Sequence, residues 1–174
     1  MDCRSEFSLR NSSIDVIGDQ LIKGINVSDE AIENDNTQPW SGRRLAREIA
    51  IQLLYECDLN PERMTEDPTD YIQRHLTAEP AGLSEFALEL VLGVKNHRDA
   101  LDEIILGCAE NWTITRMTPT DRNVIRLATF ELTQTSTPGQ VVIDEAVELA
   151  KRFGTKDSPS FVNGVLDKVL QGRS

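Results

Sequence analysis

The sequence predicts an all-α fold of about seven helices behind a mostly disordered N-terminal extension. Three observations carry that prediction. At four places a capping residue stands directly before proline: Asp67-Pro68, Thr118-Pro119, Thr137-Pro138 and Ser158-Pro159. Proline at the first helical position gives up only an N–H that has no partner within the helix, and its φ is already helical. Between these marks apolar residues recur three and four apart, as Val162, Val165, Leu166 and Val169 do. No segment sustains the period-two alternation of a half-buried strand.

Taken in order, residues 1–40 carry a net −5 of the chain's −11 and end in Glu33-Asn34-Asp35-Asn36-Thr37-Gln38-Pro39. Such a polar composition buries too little apolar surface to offset chain entropy. The expected organisation is therefore an acidic extension over 1–40 and a helical domain over 41–172. Helices are expected at 42–57, 68–77, 85–96, 98–110, 119–134, 138–153 and 159–170. In the first, Leu45, Ala46, Ile49, Leu53 and Cys57 gather on one side as a core stripe. The second opens at Asp67-Pro68. Before the third, Leu83, Ser84 and Leu88 have the spacing of a hydrophobic staple, and the fourth keeps the helical period without a proline mark. Thr118 with Asp121 approaches a capping box at the fifth, and Thr137 with Gln140 has its spacing at the sixth. Gly154 after Phe153 supplies a stop before the last helix. The linkers are short, which leaves one compact bundle or two joined ones.

Several function classes fall away on inspection. No run approaches the eighteen or so apolar residues that cross a membrane. Asp2, Glu6, Asp15 and Asp19 occupy the region where a secretory signal would be apolar, so a cytoplasmic address is expected. Cys3, Cys57 and Cys108 form no metal-binding spacing, and the latter two read as buried thiols in apolar helices. There is no phosphate loop, dinucleotide fingerprint, nucleophile elbow or HExxH pair, and His75 and His97 read as surface residues. Asp144, Glu145 and Glu148 share part of a helix face, but a bundle metal site needs Glu-x-x-His pairs that are absent. Glu148, four residues before Arg152, reads instead as one half of a helix ion pair. No catalytic activity, cofactor or metal is expected.

Binding is left. A net charge of −11 argues against a broadly basic nucleic-acid face, though a local basic patch remains open. On the first helix Arg44, Arg47, Ile51 and Tyr55 fall opposite the core stripe, so both arginines are expected to point outward. Arg43, Arg44 and Arg47 crowd the first turns, where the helix dipole disfavours cations and unpaired N–H groups face outward. That placement suggests an external anion; a solvated face with a stray tyrosine is the plainer alternative. A second group, Lys151, Arg152 and Lys156, lies at a helix end and the loop after it. Two of those three are equally accounted for as favourable charges at a helix C-terminus.

At these residues the chain resembles a known family. GRRLAREIAIQLLYECDL, then TDRNVIRLATFEL, then VVIDEAVELAKRFGTKDSPSFVNGVLDKVL, in this order, resemble the NusB family of transcription antitermination factors from about Arg43 to Leu170. The resemblance implies two small helical bundles packed together. It implies binding of single-stranded boxA-type RNA through the arginine-rich first helix. It also implies pairing with NusE, a small-subunit ribosomal protein, in the complex that keeps RNA polymerase processive on ribosomal RNA operons. Carried over by position, Arg43, Arg44 and Arg47 match the arginine-rich motif. Tyr55, Lys156, Asp157 and Phe161 stand at positions tied to the RNA side, and Asp121 at an acidic position facing the protein partner. Leu45 stands where a further arginine is common, which thins the motif, and residues 1–40 lie outside the family pattern. Two other classes stay open: a protein-only scaffold or homodimer that hides the arginine face, and a module of ribosomal-RNA cytosine methyltransferases, which would need a methyl-donor domain.

A chain shortened to begin at Trp40 is expected to keep its helical circular dichroism and its melting temperature. A fall of more than about 5 °C, roughly 1 kcal/mol for a domain of this size, would make residues 1–40 part of the fold.

Overall fold

The computed structural model describes residues 42–77, 82–109 and 113–172, and the expectations for 1–40 lie outside them. The described residues form six α-helices and two short 3-10 turns, with no strand among them. In chain order the helices are α1 (Gly42–Leu59), α2 (Thr69–Leu76), α3 (Leu83–Cys108), α4 (Pro119–Gln134), α5 (Gly139–Phe153) and α6 (Ser158–Gln171). The 3-10 turns, Pro61–Thr65 and Ile114–Arg116, precede α2 and α4.

Local chemistry explains most of the boundaries. The Thr118 hydroxyl accepts the backbone N–H of Asp121 at 3.1 Å, and Pro119 follows it as the first residue of α4. The Asp67 carboxylate accepts from the Thr69 N–H at 2.9 Å and from its hydroxyl at 2.6 Å, closing the start of α2. The other two proline marks work differently. Thr137 does not cap α5; its N–H donates to the Thr135 hydroxyl at 3.2 Å. Ser158 is buried, and its hydroxyl accepts the Thr155 N–H at 2.8 Å, bracing the turn ahead of α6. At α3, Gly82 holds φ 97°, a conformation that favours glycine, and the helix starts at Leu83 rather than after a Ser84 cap.

The two helices expected at 85–96 and 98–110 run on as α3, joined across a kink at the residue that separates them in the sequence reading, so six helices stand where about seven were expected. His97 bends it, with φ −113° and ψ 15°. Its ring Nδ1–H donates to the Gly93 carbonyl at 2.8 Å, which keeps that acceptor satisfied through the kink. No proline or glycine lies at the bend to announce it.

The helices pack as two small bundles sharing α4. On one side α1 lies against α3 and α4, with α2 against α3; on the other, α5 and α6 pack on each other and on α4. Val124, Ile125, Leu127, Ala128 and Leu132 of α4 are all buried at the junction. Cys57 is buried as expected and Cys108 is half-buried. No described helix is long and apolar enough to cross a membrane, and no described cluster of three or more His, Cys, Asp or Glu side chains could hold a metal.

Two glycines are required by space. A Cβ on Gly154 would lie 2.5 Å from the Ser158 Cβ and 2.6 Å from the Ala150 carbonyl, so the chain turns there only without one. Gly93 is buried where α3 crosses α4, and the Phe130 ring occupies the volume a side chain would need. Gly93→Ala is therefore expected to lower stability by about 1–3 kcal/mol, the usual cost of overpacking. An unchanged midpoint in urea would mean that Phe130 can swing aside.

Candidate functional site

The first turns of α1 are ringed by α3, α4 and α5, and each supplies a partner for an arginine. Arg47 is only 3% exposed. Its Nε and Nη2 donate to the two carboxylate oxygens of Glu131 on α4, both at 2.8 Å. Glu131 is itself 1% exposed, so two full charges are held out of water by one bidentate contact. Arg44 makes the same fork with Glu145 on α5, at 3.0 and 2.7 Å. Its side chain is 39% exposed, against 17% for Glu145. The hydrogen bonds that Arg44 donates to Glu145 hold its guanidinium above its ordinary range. Arg47 Nη1 lies 3.7 Å from the same carboxylate, which thus spans both arginines.

Arg43 differs from both. It is exposed, and among the described residues no carboxylate lies within ion-pairing distance of it. Its guanidinium carbon sits 4.9 Å from the centre of the Phe86 ring on α3, and that of Arg47 lies 5.2 Å from the same ring. Both distances fall within the range of a cation–π contact.

These contacts correct the expected orientation of α1. Arg47 and Ile51, both placed on the outward face by the helical wheel, are each 3% exposed, and Arg44 and Tyr55 are half-buried. A wheel with a single core stripe presumes one covered side, whereas α1 is covered on several. The cations that crowd the positive end of the helix dipole are balanced in two cases out of three by carboxylates of the protein itself. The expected Glu148–Arg152 pair is likewise not made. Glu148 accepts from Lys151 at 2.7 Å, and Arg152 reaches the buried Glu48 of α1 at 3.1 Å. Burial pushes the Glu48 carboxyl above the ordinary carboxylate range, and Arg152 offsets only part of that.

The Arg152–Glu48 contact fastens the end of α5 to the second turn of α1. The turn that follows carries Lys156 and Asp157, both exposed, and leads to Phe161, half-buried in the first turns of α6. The second sequence-predicted group thus follows directly on a contact with α1, through Arg152 and Glu48. Tyr55 lies further along α1, eight residues or about 12 Å beyond Arg47.

Asp121 is not brought to the arginine end of α1. Helices α1 and α4 run antiparallel, because Arg47 meets Glu131 while Asp58 meets Arg126 at 3.2 Å. Asp121 lies ten residues before Glu131, about 15 Å away along α4. It is 6% exposed, and its Oδ1 has no hydrogen-bond partner among the described residues. Nearby, Asp58 also takes Arg98 at 3.0 Å and pairs with Arg122, while Asp102 holds Arg126 at 2.7 and 2.8 Å. Burial works against the Arg126 charge, and the Asp102 and Asp58 carboxylates outweigh it.

Phe86 and Glu131 are the residues that reading the sequence missed, while Glu145 was noticed there only as part of an acidic helix face. One signal was available. Glu131 stands between the apolar Phe130 and Leu132, and a carboxylate buried with them needs a buried cation.

Comparison with known proteins agrees with this architecture. The NusB family model matches residues 44–171. The chain is 45% identical over 132 residues to the transcription antitermination protein NusB of Anaeromyxobacter dehalogenans strain 2CP-1, covering 76% of this chain and 92% of that protein. Among solved structures it is similar to T. maritima NusB, with 33% identity and a TM-score of 0.67, covering 76% of this chain and 93% of that one. It is also similar to a chain in a complex of antitermination factors NusB and NusE with dsRNA, with 28% identity and a TM-score of 0.62, covering 75% and 96%.

Arg47→Ala is expected to cost about 3–5 kcal/mol in a urea melt, since it strands the Glu131 charge in the interior. Arg43→Ala should leave the midpoint unchanged. Equal midpoints for the two variants would contradict the division between a buried tie and an exposed cation.

Proposed function

The chain belongs to the NusB family, and from that premise we propose that it is a non-enzymatic antitermination adaptor that binds RNA together with NusE. The observation that carries the reading is the exposed Arg43 at the head of α1, which among the described residues has no carboxylate within ion-pairing distance. The fold's likeness to a NusB chain solved with NusE and RNA supports it.

The RNA in this reading is the single-stranded boxA-type element of ribosomal RNA operons. Arg43 and Lys156 neutralise phosphates. Arg44 adds a partly satisfied cation, and Arg47 acts from beneath by fixing the helix that presents the other two. Tyr55 and Phe161 offer rings for stacking bases, as single-strand readers generally do. Asp157, an exposed carboxylate, accepts from base N–H groups. Asp121, at the far end of α4, faces NusE, where a donor from the partner would satisfy its buried oxygen.

With few cations engaged, RNA affinity alone is modest. NusE, holding a second point on the same RNA, raises it through proximity and links the chain to the antitermination complex on RNA polymerase.

A titration of boxA-type RNA with and without NusE tests the reading. Arg43→Ala should weaken binding and make the dependence on salt shallower by about 0.7 in log–log slope, the share of one phosphate on a single strand. Phe161→Ala should lose about 1–3 kcal/mol of RNA binding, the worth of one stacked base. Unchanged affinity and slope in both variants, with NusE present, would remove the RNA assignment from this face.

A further inference from the structure

Resting on the RNA reading above, we infer that Phe86 is the positioning residue of the RNA surface, holding the Arg43 guanidinium in place without occupying its hydrogen-bond donors. The argument is one of geometry. A carboxylate that binds arginine does so in the guanidinium plane and uses its N–H groups, as Glu145 does with Arg44 and Glu131 with Arg47. A ring engages the face of the ion instead and leaves the N–H groups at the edge available for a phosphate or a base. Among the three arginines only Arg43 is held by a ring alone.

Phe86 suits this task because it is buried and bordered by a fixed neighbour. It is 9% exposed on α3, with the Arg47 guanidinium 5.2 Å from its ring centre and Arg43 at 4.9 Å. Arg47 is in turn locked by Glu131 at 2.8 Å. Arg43 and Arg47 stand four apart, so they share one side of α1 and reach the same ring. Neutralising Arg47 with Glu131 also lowers the repulsion that two guanidiniums beside one ring would otherwise feel. An exposed arginine ordinarily loses rotamer freedom when it binds a phosphate. Docking on Phe86 removes part of that freedom before the RNA arrives. The sequence holds no hint of this, because Phe86 reads there as one more apolar residue of a helix.

The test is a double-mutant cycle on boxA-type RNA with the full chain, crossing Arg43→Ala with Phe86→Leu. Leucine keeps the apolar contact and removes the ring. Phe86→Leu alone should weaken binding about two- to fivefold, the worth of an exposed cation–π contact, and Phe86→Tyr should restore it. Arg43→Ala should then cost less in the Phe86→Leu background than in the wild type. An equal loss in both backgrounds would overturn the inference while leaving the RNA reading intact. No loss from Arg43→Ala in the wild type would sink the RNA role of Arg43, and the inference with it. A readout independent of folding of the variants comes from the free wild-type protein. The Arg43 side-chain methylene protons should resonate upfield under the ring current of Phe86 and remain upfield when RNA is added, whatever the N–H protons at the edge do on meeting the ligand. Shifts at the ordinary exposed-arginine position would overturn the inference directly.

Discussion

The structure depends on one buried ion pair, Arg47 with Glu131. Removing two charges from water costs several kcal/mol for each, and only a near-ideal bidentate contact returns it. A slip of one residue between α1 and α4 would strand both charges, so the pair fixes the register of the two helices. Its neighbours extend the constraint. Glu145 of α5 spans Arg44 and Arg47, and Phe86 of α3 lies against the guanidinium. Four helices therefore meet at a single side chain. At the other end of the same antiparallel pair, Asp58 plays the mirror role, with one carboxylate among Arg98, Arg122 and Arg126. Between these polar ends the packing is small and apolar, with Ala46, Ala50 and Ala128 fully buried. Such contacts are non-directional and would tolerate sliding that the charges forbid.

This arrangement bears on how a chain of net charge −11 would meet a polyanion in the proposed function. The arginine-rich first helix is not a strip of free cations. Two of its arginines are committed to holding the bundle together, and what they contribute to a surface is its shape and rigidity. Among the described residues Arg43 alone of the three has no carboxylate within ion-pairing distance, and Lys156 stands exposed on the turn after the Arg152–Glu48 contact. Binding that rests on few phosphates depends heavily on stacking and on a second partner, which agrees with an adaptor working inside a larger assembly.

Much of the fold was legible in the sequence because its signals are local. Thr118-Pro119 marks the start of α4 through a hydrogen bond three residues long, and the apolar period of α6 needs no knowledge of its neighbours. The interruption at His97 was legible as a boundary between the helices expected at 85–96 and 98–110, but the sequence holds nothing that tells a kink from a full break. Thr137 and Ser158 misled because each hydroxyl found a closer partner in Thr135 or Thr155 than in the helix it precedes. The site was half legible. The crowding of arginines against the helix dipole pointed to an external anion, whereas two of the three arginines meet carboxylates of the protein itself. That those carboxylates are Glu131 and Glu145, 84 and 101 residues away in the chain, is long-range information that a helical wheel cannot hold.

The central claim is the division of labour within the arginine motif, and nitrogen-detected NMR of the arginine side chains during an RNA titration tests it most directly. The Arg43 Nε–Hε signal should move as RNA is added, while that of Arg47 stays in place and remains protected from exchange with water. An Arg47 signal that shifts with RNA and loses its protection would mean that the guanidinium leaves Glu131 to meet the ligand, and would contradict the claim.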